Sequence, residues 1–434
     1  MLSITSSPVK ALSGTAIVPA DKSISHRSVI FGALADGVTE VTNLLTGEDV
    51  LSTVAAFRSM GVLIEGPDSG QLRISGAGKV GLQAPGDELD LGNSGTSMRL
   101  LSGLLSGQRF HSRLTGDESL RRRPMGRVVD PLTAMGAVIQ SCEGCPPLDI
   151  QPSQGLTGIK YQMPVASAQV KSALLLAGLY AEGETLISET TPTRDHTERM
   201  LAGFSKGQWQ AGSAIRINGD IALTGQCLEV PGDISSAAFL LVAATICPGS
   251  DLLLPGVGIN PTRSAVLAIL RLMGANIEIS SERLESNEPV CDLRVRSASL
   301  KGIDIPPEFV ANAIDEFPVL AIAAAAASGV TRVRGARELR VKESDRIAAV
   351  VQGLATLGID AVEYPDGMDI TGGAFGSGSI ESFGDHRIAM AFAVAGCMSE
   401  GSVEIRDAGN IRTSFPNFLS LANSIGMNIS ELPG

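Results

Sequence analysis

Six stretches of this chain share one plan: SISHRSVIFGALADG (23–37), SGTSMRLLSGLLSG (94–107), SAQVKSALLLAGLYAEG (167–183), ISSAAFLLVAATICPG (234–249), DEFPVLAIAAAAASG (315–329) and DHRIAMAFAVAGCMSEG (385–401). Each opens on small or charged polar residues, runs on in apolar ones, and closes at a turn glycine. The closing glycines, Gly37, Gly107, Gly183, Gly249, Gly329 and Gly401, are 70, 76, 66, 80 and 72 residues apart. One unit of roughly 70 residues therefore recurs six times, longer than the usual solenoid repeat.

Each unit carries a second helical segment, as in EDVLSTVAAFRSMGVLIE, RVVDPLTAMGAVIQ, TRSAVLAILRLMGANIE and DRIAAVVQGLATLGIDAVE. These stop at Gly61, Gly136, Gly274 and Gly358, and Gly426 closes the last unit. A glycine there ends a helix because it accepts the left-handed conformation. The third copy, DHTERMLAGFSKG, is degraded. Short alternating stretches between helices, Gln71–Ser75, Ala214–Ile217 and Leu293–Val295, read as β-strands. The uncharged Ala-rich segments must be buried nearly all round. The fold class is therefore α/β, in layered units with the first helix of each inside, and six units suggest two lobes of three. Val18-Pro19-Ala20-Asp21-Lys22-Ser23 is echoed by Val230-Pro231-Gly232-Asp233-Ile234-Ser235. Each Pro stiffens a connector. Two crossovers there divide the chain into a discontinuous lobe, 1–18 plus 232–434, and a lobe 19–231.

Composition excludes several classes. The 434 residues include 34 Lys and Arg against 46 Asp and Glu, a net charge of −12, with only 4% aromatics. An acidic, aromatic-poor chain is no general nucleic-acid binder. Its longest apolar runs, Ala237–Cys247 and Val319–Ala327, are about half of what a membrane span needs. The N-terminus has no signal pattern. The expectation is a soluble cytoplasmic protein with reduced thiols. Cys142 and Cys145 form a CxxC that runs into Pro146-Pro147, and the four histidines are distant in sequence, so it reads as a loop rather than a redox or zinc site. GFSKG (203–207) matches GxSxG, but at a helix end, where no nucleophile elbow forms. No P-loop, dinucleotide fingerprint or metal motif occurs.

The helix starts carry the functional signal. Lys22, Ser23 and Arg27 open the first inner helix, Gly95 the second, Ser167, Ala168 and Gln169 the third, Asp315 and Glu316 the fifth, and Asp385, His386 and Arg387 the sixth. Outer helices are expected to begin with Arg121–Arg123, with Arg194, and with Lys342, Glu343 and Arg346. Ser, Thr, Asp and Asn there are ordinary caps. The cations are not: a Lys or Arg at a helix N-terminus costs about 0.3–1 kcal/mol against the dipole. Lys342 and Arg346, spaced as i,i+4 on a helix, would repel by about 0.2–0.5 kcal/mol. Cations repeated at unfavourable ends point to a bound polyanion.

At this point DKSISHRS, LGNSGTSMRLL, GDESLRRRPMGR, SAQVKSALLLAG, IDEFPVLA, RVKESDR and GDHRIAMAF resemble the 5-enolpyruvylshikimate-3-phosphate (EPSP) synthase family, in order, from about Leu12 to Met427. TRDHTE, VPGDISS and SFPNF look most like its bacterial class II branch. The resemblance implies the two-lobed enolpyruvyl-transferase fold, each lobe three βαβαββ units about a pseudo-threefold axis, with the active site in the cleft between lobes. It implies transfer of the enolpyruvyl group of phosphoenolpyruvate to the 5-hydroxyl of shikimate 3-phosphate, without metal or organic cofactor, by a monomer. By matching motifs, Lys22, Ser23, Arg27, Ser167, Ala168, Gln169, Arg194, Asp315 and Lys342 would hold shikimate 3-phosphate. Lys22, Gly95, Arg123, Gln169, Arg346 and Arg387 would hold phosphoenolpyruvate. Asp315, Glu343 and Lys22 would move protons.

The chain departs from the family pattern at Thr413, where many relatives have Lys, with Arg412 as a candidate substitute, and at Leu100, where many have Pro. Gly95, lacking a Cβ, would leave room for the inhibitor glyphosate, so Gly95→Ala should weaken glyphosate more than phosphoenolpyruvate. Two rivals are the sister transferase acting on UDP-N-acetylglucosamine, most of whose members use a loop Cys absent from Arg109–Gly126, and a non-catalytic anion-binding scaffold.

Overall fold

The computed structural model describes residues 2–209 and 214–432. The chain forms two compact units: a terminal unit, Met1–Pro19 with Pro231–Leu284 and Glu288–Gly434, and a central unit, Ala20–Val230 with Glu285–Asn287. Each has its own hydrophobic core. Two of the changes of unit, at Pro19–Ala20 and Val230–Pro231, fall at the Pro-containing echoes.

The repeat has a clear structural form. In the central unit, strand Cys227–Glu229 pairs parallel with Asp36–Thr42. Asp36–Thr42 then pairs antiparallel with Gln71–Ala77, which pairs with Leu63–Asp68. Leu89–Asp90, Ser112–Thr115, Cys145–Ile150 and Ile139–Cys142 repeat that order. Each of these two sheets is thus a parallel pair followed by a hairpin; in the second the pair is joined through the inner helix Gly95–Leu105, and in the first the strand Cys227–Glu229 comes from the far end of the unit. The parallel step in the second needs a crossover, which that helix supplies. The third sheet is shorter. Lys160–Gln162 pairs with Glu184–Ser188 and that with Ile215–Asn218, where the sheet ends among the described residues. Trp209 donates its indole N–H to the Arg216 carbonyl on that last strand.

The terminal unit contains the same units, closed circularly. Ser13–Thr15 lies parallel to Asp251–Gly258. The N-terminal strand Ser3–Ser7 inserts between Val403–Arg406 and Asn428–Leu432, completing the last repeat.

The inner helices are Lys22–Leu34, Gly95–Leu105, Ala168–Gly178, Ile234–Ile246, Phe317–Ala325 and His386–Gly396. Every residue of Ile234–Ile246 is buried, and Lys22–Leu34 is buried from Ile24 onward. A backbone-to-backbone approach at Gly103 joins the second and third, since a Cβ there would sit 2.1 Å from the Ala173 carbonyl oxygen. The outer helices end as expected: Gly274 is left-handed (φ 103°), and Gly61, Gly136, Gly358 and Gly426 fill the same place.

Three readings change. The glycines closing the inner segments do not cap them. The helix Lys22–Leu34 ends at extended Ala35, and Gly37 lies inside the strand Asp36–Thr42. The CxxC is a tight hairpin, with Cys142 opposite Cys145 across the positive-φ pair Glu143-Gly144. Both thiols are free. Arg121–Arg123 do not open an outer helix: a one-turn helix, Glu118–Arg121, ends there, and the outer helix Gly126–Ala134 starts later.

Candidate active site

In the central unit the starts of the three inner helices are stitched together in a ring. His26 Nδ1 bonds to Thr53 Oγ1 (2.8 Å), which bonds to Ser97 Oγ (2.6 Å) in the second helix. Arg99, also in that helix, donates to Gln169 Oε1 (2.8 Å), and Gln169 Nε2 returns a bond to Thr96 (2.9 Å). Arg27 crosses from the first helix to the third, donating Nη2 to Ser172 (2.8 Å) and Nε to Thr197 (2.7 Å). The local reasons are ordinary caps. Asp21, Ser94 and Ser167 each accept a backbone N–H at N3, which fixes where each helix begins.

Of the expected ligands, Arg27 and Gln169 belong to this ring, and Lys22, Ser23, Gly95, Ser167 and Ala168 stand at the starts of its helices. Lys22 is the first helical residue, pairs with Asp49 and is partly exposed. Ser23 accepts Arg27 Nη1 through its carbonyl (3.0 Å). Arg123, buried beside the second helix start, donates to Asn93 Oδ1 (2.6 Å). Gly95 faces two arginines: a Cβ there would meet Arg99 Nη1 at 2.8 Å and Arg123 Nη1 at 3.0 Å. The missing methyl therefore leaves room for these two guanidinium groups. Arg194 is half-buried in the irregular segment before the helix His196–Phe204.

His26 is fully buried, and burial, with Lys22 and Arg27 adding their charge, pushes its pKa well below the usual value. It is a neutral member of the ring.

The terminal unit gathers the other set around one buried guanidinium. Arg346, 1% exposed, donates Nε to Asp385 (2.8 Å), Nη1 to Asp315 (3.2 Å) and Nη2 to Glu343. Lys342 Nζ reaches the same Asp315 oxygen at 3.3 Å. Arg387 donates to the Asp315 carbonyl (2.9 Å) and stands 3.6 Å from Glu316 Oε1, while Glu316 accepts the Ser235 hydroxyl. The fourth, fifth and sixth inner helices are joined here as the first three are in the other unit. Burial, the largest influence, would raise the pKa of Asp385, but the charge and hydrogen bond of Arg346 together with His386 hold the carboxyl below its usual range. For Arg346, burial works against the charge, and Asp385, Glu343 and Asp315 more than restore it.

One expectation fails on this geometry. Lys342 and Arg346 share no helix: Lys342 follows the 3-10 turn Arg337–Val341, and Arg346 is the first residue of Arg346–Thr356. Their convergence on Asp315 replaces the expected repulsion. Arg412 is solvent-exposed and stands 3.9 Å from Glu431, and Thr413 is buried with its hydroxyl on the Asn410 carbonyl. Sequence reasoning missed Asp49, Arg99, Lys171, Thr197 and Glu198. They sit inside helices whose faces look merely amphipathic, and only tertiary packing turns them inward.

Among the described residues no cluster of three or more His, Cys, Asp or Glu could hold a metal ion, and no helix is long and apolar enough to cross a membrane.

Paired α/β repeat units with arginines and lysines at their helix starts define a protein built to hold small polyanions. The family model for EPSP synthase (3-phosphoshikimate 1-carboxyvinyltransferase) matches residues 6–421. The chain belongs to this family. It is 58% identical to the 3-phosphoshikimate 1-carboxyvinyltransferase of Acidithiobacillus ferrooxidans, over 97% of each chain. It is 58% identical to that of Methylococcus capsulatus, over 98% of each. The EPSP synthase structure from Acinetobacter baumannii superposes with a TM-score of 0.89 at 50% identity, covering 100% of both chains.

Proposed function

We infer that this chain is an enzyme of the shikimate pathway that moves the enolpyruvyl group of phosphoenolpyruvate to the 5-hydroxyl of shikimate 3-phosphate and releases phosphate. Family membership over almost the whole length supports this. The observation that carries it is the cluster in which Lys342 and Arg346 converge on the Asp315 carboxylate while Arg346 also holds Glu343. That set combines anion-binding cations with groups able to exchange protons.

The reading assigns roles as follows. Ser23, Arg27, Ser167, Ala168, Gln169, Arg194, Asp315 and Lys342 hold shikimate 3-phosphate, with Lys22 between the two substrates. Gly95, Arg123, Gln169, Arg346 and Arg387 hold phosphoenolpyruvate, the arginines through bidentate bonds to phosphate and carboxylate. Asp315 takes the proton from the 5-hydroxyl as its oxygen attacks C2, while Glu343 or Lys22 delivers a proton to C3. The tetrahedral intermediate then loses a methyl proton and expels phosphate. Both units serve this one reaction. The same reading makes the protein a cytoplasmic monomer and glyphosate a competitor of phosphoenolpyruvate.

The test is phosphate release with purified protein. Turnover with shikimate 3-phosphate and none with UDP-N-acetylglucosamine is the expected result. No turnover with shikimate 3-phosphate overturns the reading.

A further inference from the structure

We infer that Lys171, which lies outside the residues matched to substrate, is a positioning residue: it clamps the segment carrying Arg194 onto the helix carrying Ser167 and Gln169. The inference rests on the reading above, which gives Arg194, Ser167 and Gln169 to shikimate 3-phosphate.

Lys171 is 1% exposed and is the fourth residue of the helix Ala168–Gly178. An ammonium group has three protons to donate. Here they meet three acceptors: Glu198 Oε1 at 2.6 Å, Glu189 Oε2 at 3.1 Å and the Thr193 carbonyl at 3.3 Å. All three acceptors belong to one stretch, Glu189–Glu198, and Thr193 is the immediate neighbour of Arg194. Glu189 reinforces the loop, accepting the Thr193 backbone N–H at 3.2 Å and the Thr193 hydroxyl. Ser172, next along the helix, bonds to Thr197 at 2.7 Å, so consecutive helix residues tie down the far end as well. Residues 189–195 form neither helix nor strand. Side chains therefore do the holding that a backbone ladder does elsewhere.

A buried ammonium with two carboxylates is a costly way to gain stability, because an apolar trio needs no desolvation. Burial raises the pKa of Glu198 even against the neighbouring Lys171, which marks that cost. What the charged set offers instead is a single geometry. Three directed bonds fix the loop in one place, whereas apolar packing allows it to slide.

The test compares Lys171→Met and Lys171→Arg with the wild type by initial rates, varying each substrate against saturating partner. Backbone hydrogen exchange of residues 190–195 is measured in the same proteins without ligand. Losing charge-assisted bonds of this kind should raise KM for shikimate 3-phosphate about tenfold in Lys171→Met, with KM for phosphoenolpyruvate within about twofold. Exchange should quicken in the same variant, and Lys171→Arg should recover part of both. The clamp is refuted if folded Lys171→Met leaves KM for shikimate 3-phosphate and the exchange unchanged, or if both KM values rise equally. If Lys171→Met does not fold, Glu198→Gln keeps an acceptor and should raise KM for shikimate 3-phosphate about threefold. No change there also refutes the clamp. Should the wild type fail to turn over shikimate 3-phosphate, the functional reading falls, and the exchange measurement still decides the clamp.

Discussion

Arg346 and Arg387 in the terminal unit and Arg27, Arg99 and Arg123 in the central unit meet different hydrogen-bonding groups. In the terminal unit Arg346 bonds to three carboxylates, those of Asp385, Asp315 and Glu343, and Arg387 lies against Glu316. In the central unit Arg27 bonds to the hydroxyls of Ser172 and Thr197, Arg123 to the amide of Asn93, and Arg99 to the amide of Gln169. Carboxylates around a buried guanidinium make a stiff and expensive cluster, because each partner depends on the others. Hydroxyls and amides orient a guanidinium without neutralising it. The first arrangement suits a set of groups that exchange protons in fixed geometry.

Four experiments bear on this contrast. The largest effect should come from Asp315, where the cations Lys342 and Arg346 converge: Asp315→Asn should lower kcat by about 100- to 10,000-fold with the fold intact, read by phosphate release and circular dichroism. A drop under tenfold would remove it from proton transfer. Next, Asp385→Ala removes the fully buried carboxylate from Arg346, which keeps Asp315 and Glu343. It should cost about 1.5–3 kcal/mol of unfolding free energy in denaturant titration. A loss under about 1 kcal/mol would show that the cluster is not interdependent. In the central unit Thr197→Val removes one neutral bond to Arg27. It should raise KM for shikimate 3-phosphate about three- to tenfold with little loss of stability, and Thr197→Ser should behave as wild type. Equal losses from Thr197→Val and Asp385→Ala in both readouts would erase the distinction between units.

The smallest effect is a pH dependence. Burial, Lys22 and Arg27 hold His26 neutral in the folded protein, so the unfolded chain takes up that proton more readily. The contribution is fully present above the ordinary value of 6.5 and is lost as pH falls below it towards the lowered folded value. The acid side of the Tm-versus-pH curve should therefore be shallower in His26→Gln than in the wild type. Parallel curves would show that His26 titrates alike in both states.

Much of the fold was legible along the chain. The Gly-closed apolar segments mark six units, and Gly274 and its four counterparts stop the outer helices where a left-handed residue is needed. Other glycines misled, because a turn glycine after an apolar run can also open a strand, as Gly37 does. The degraded third unit was visible in its sequence. That Trp209 would bond to the exposed edge of its sheet was not, since an indole finds its acceptor only after the sheet forms. At the site, the residues at helix starts were legible because caps and misplaced cations leave a local mark. Lys171, Thr197, Glu198 and Asp49 were not, because their partners are distant in sequence or sit on faces whose direction a helix alone does not reveal.

Order along the chain fixes which helices exist, where they stop and which side chains stand at their starts, because capping and backbone conformation are local matters. Pairing is different. That Lys342 and Arg346 share Asp315 instead of repelling along a helix, and that Arg99 holds Gln169, are results of how three helices meet. A charge in this acidic chain becomes a positioning group or a ligand only when packing has removed its water and chosen its neighbours.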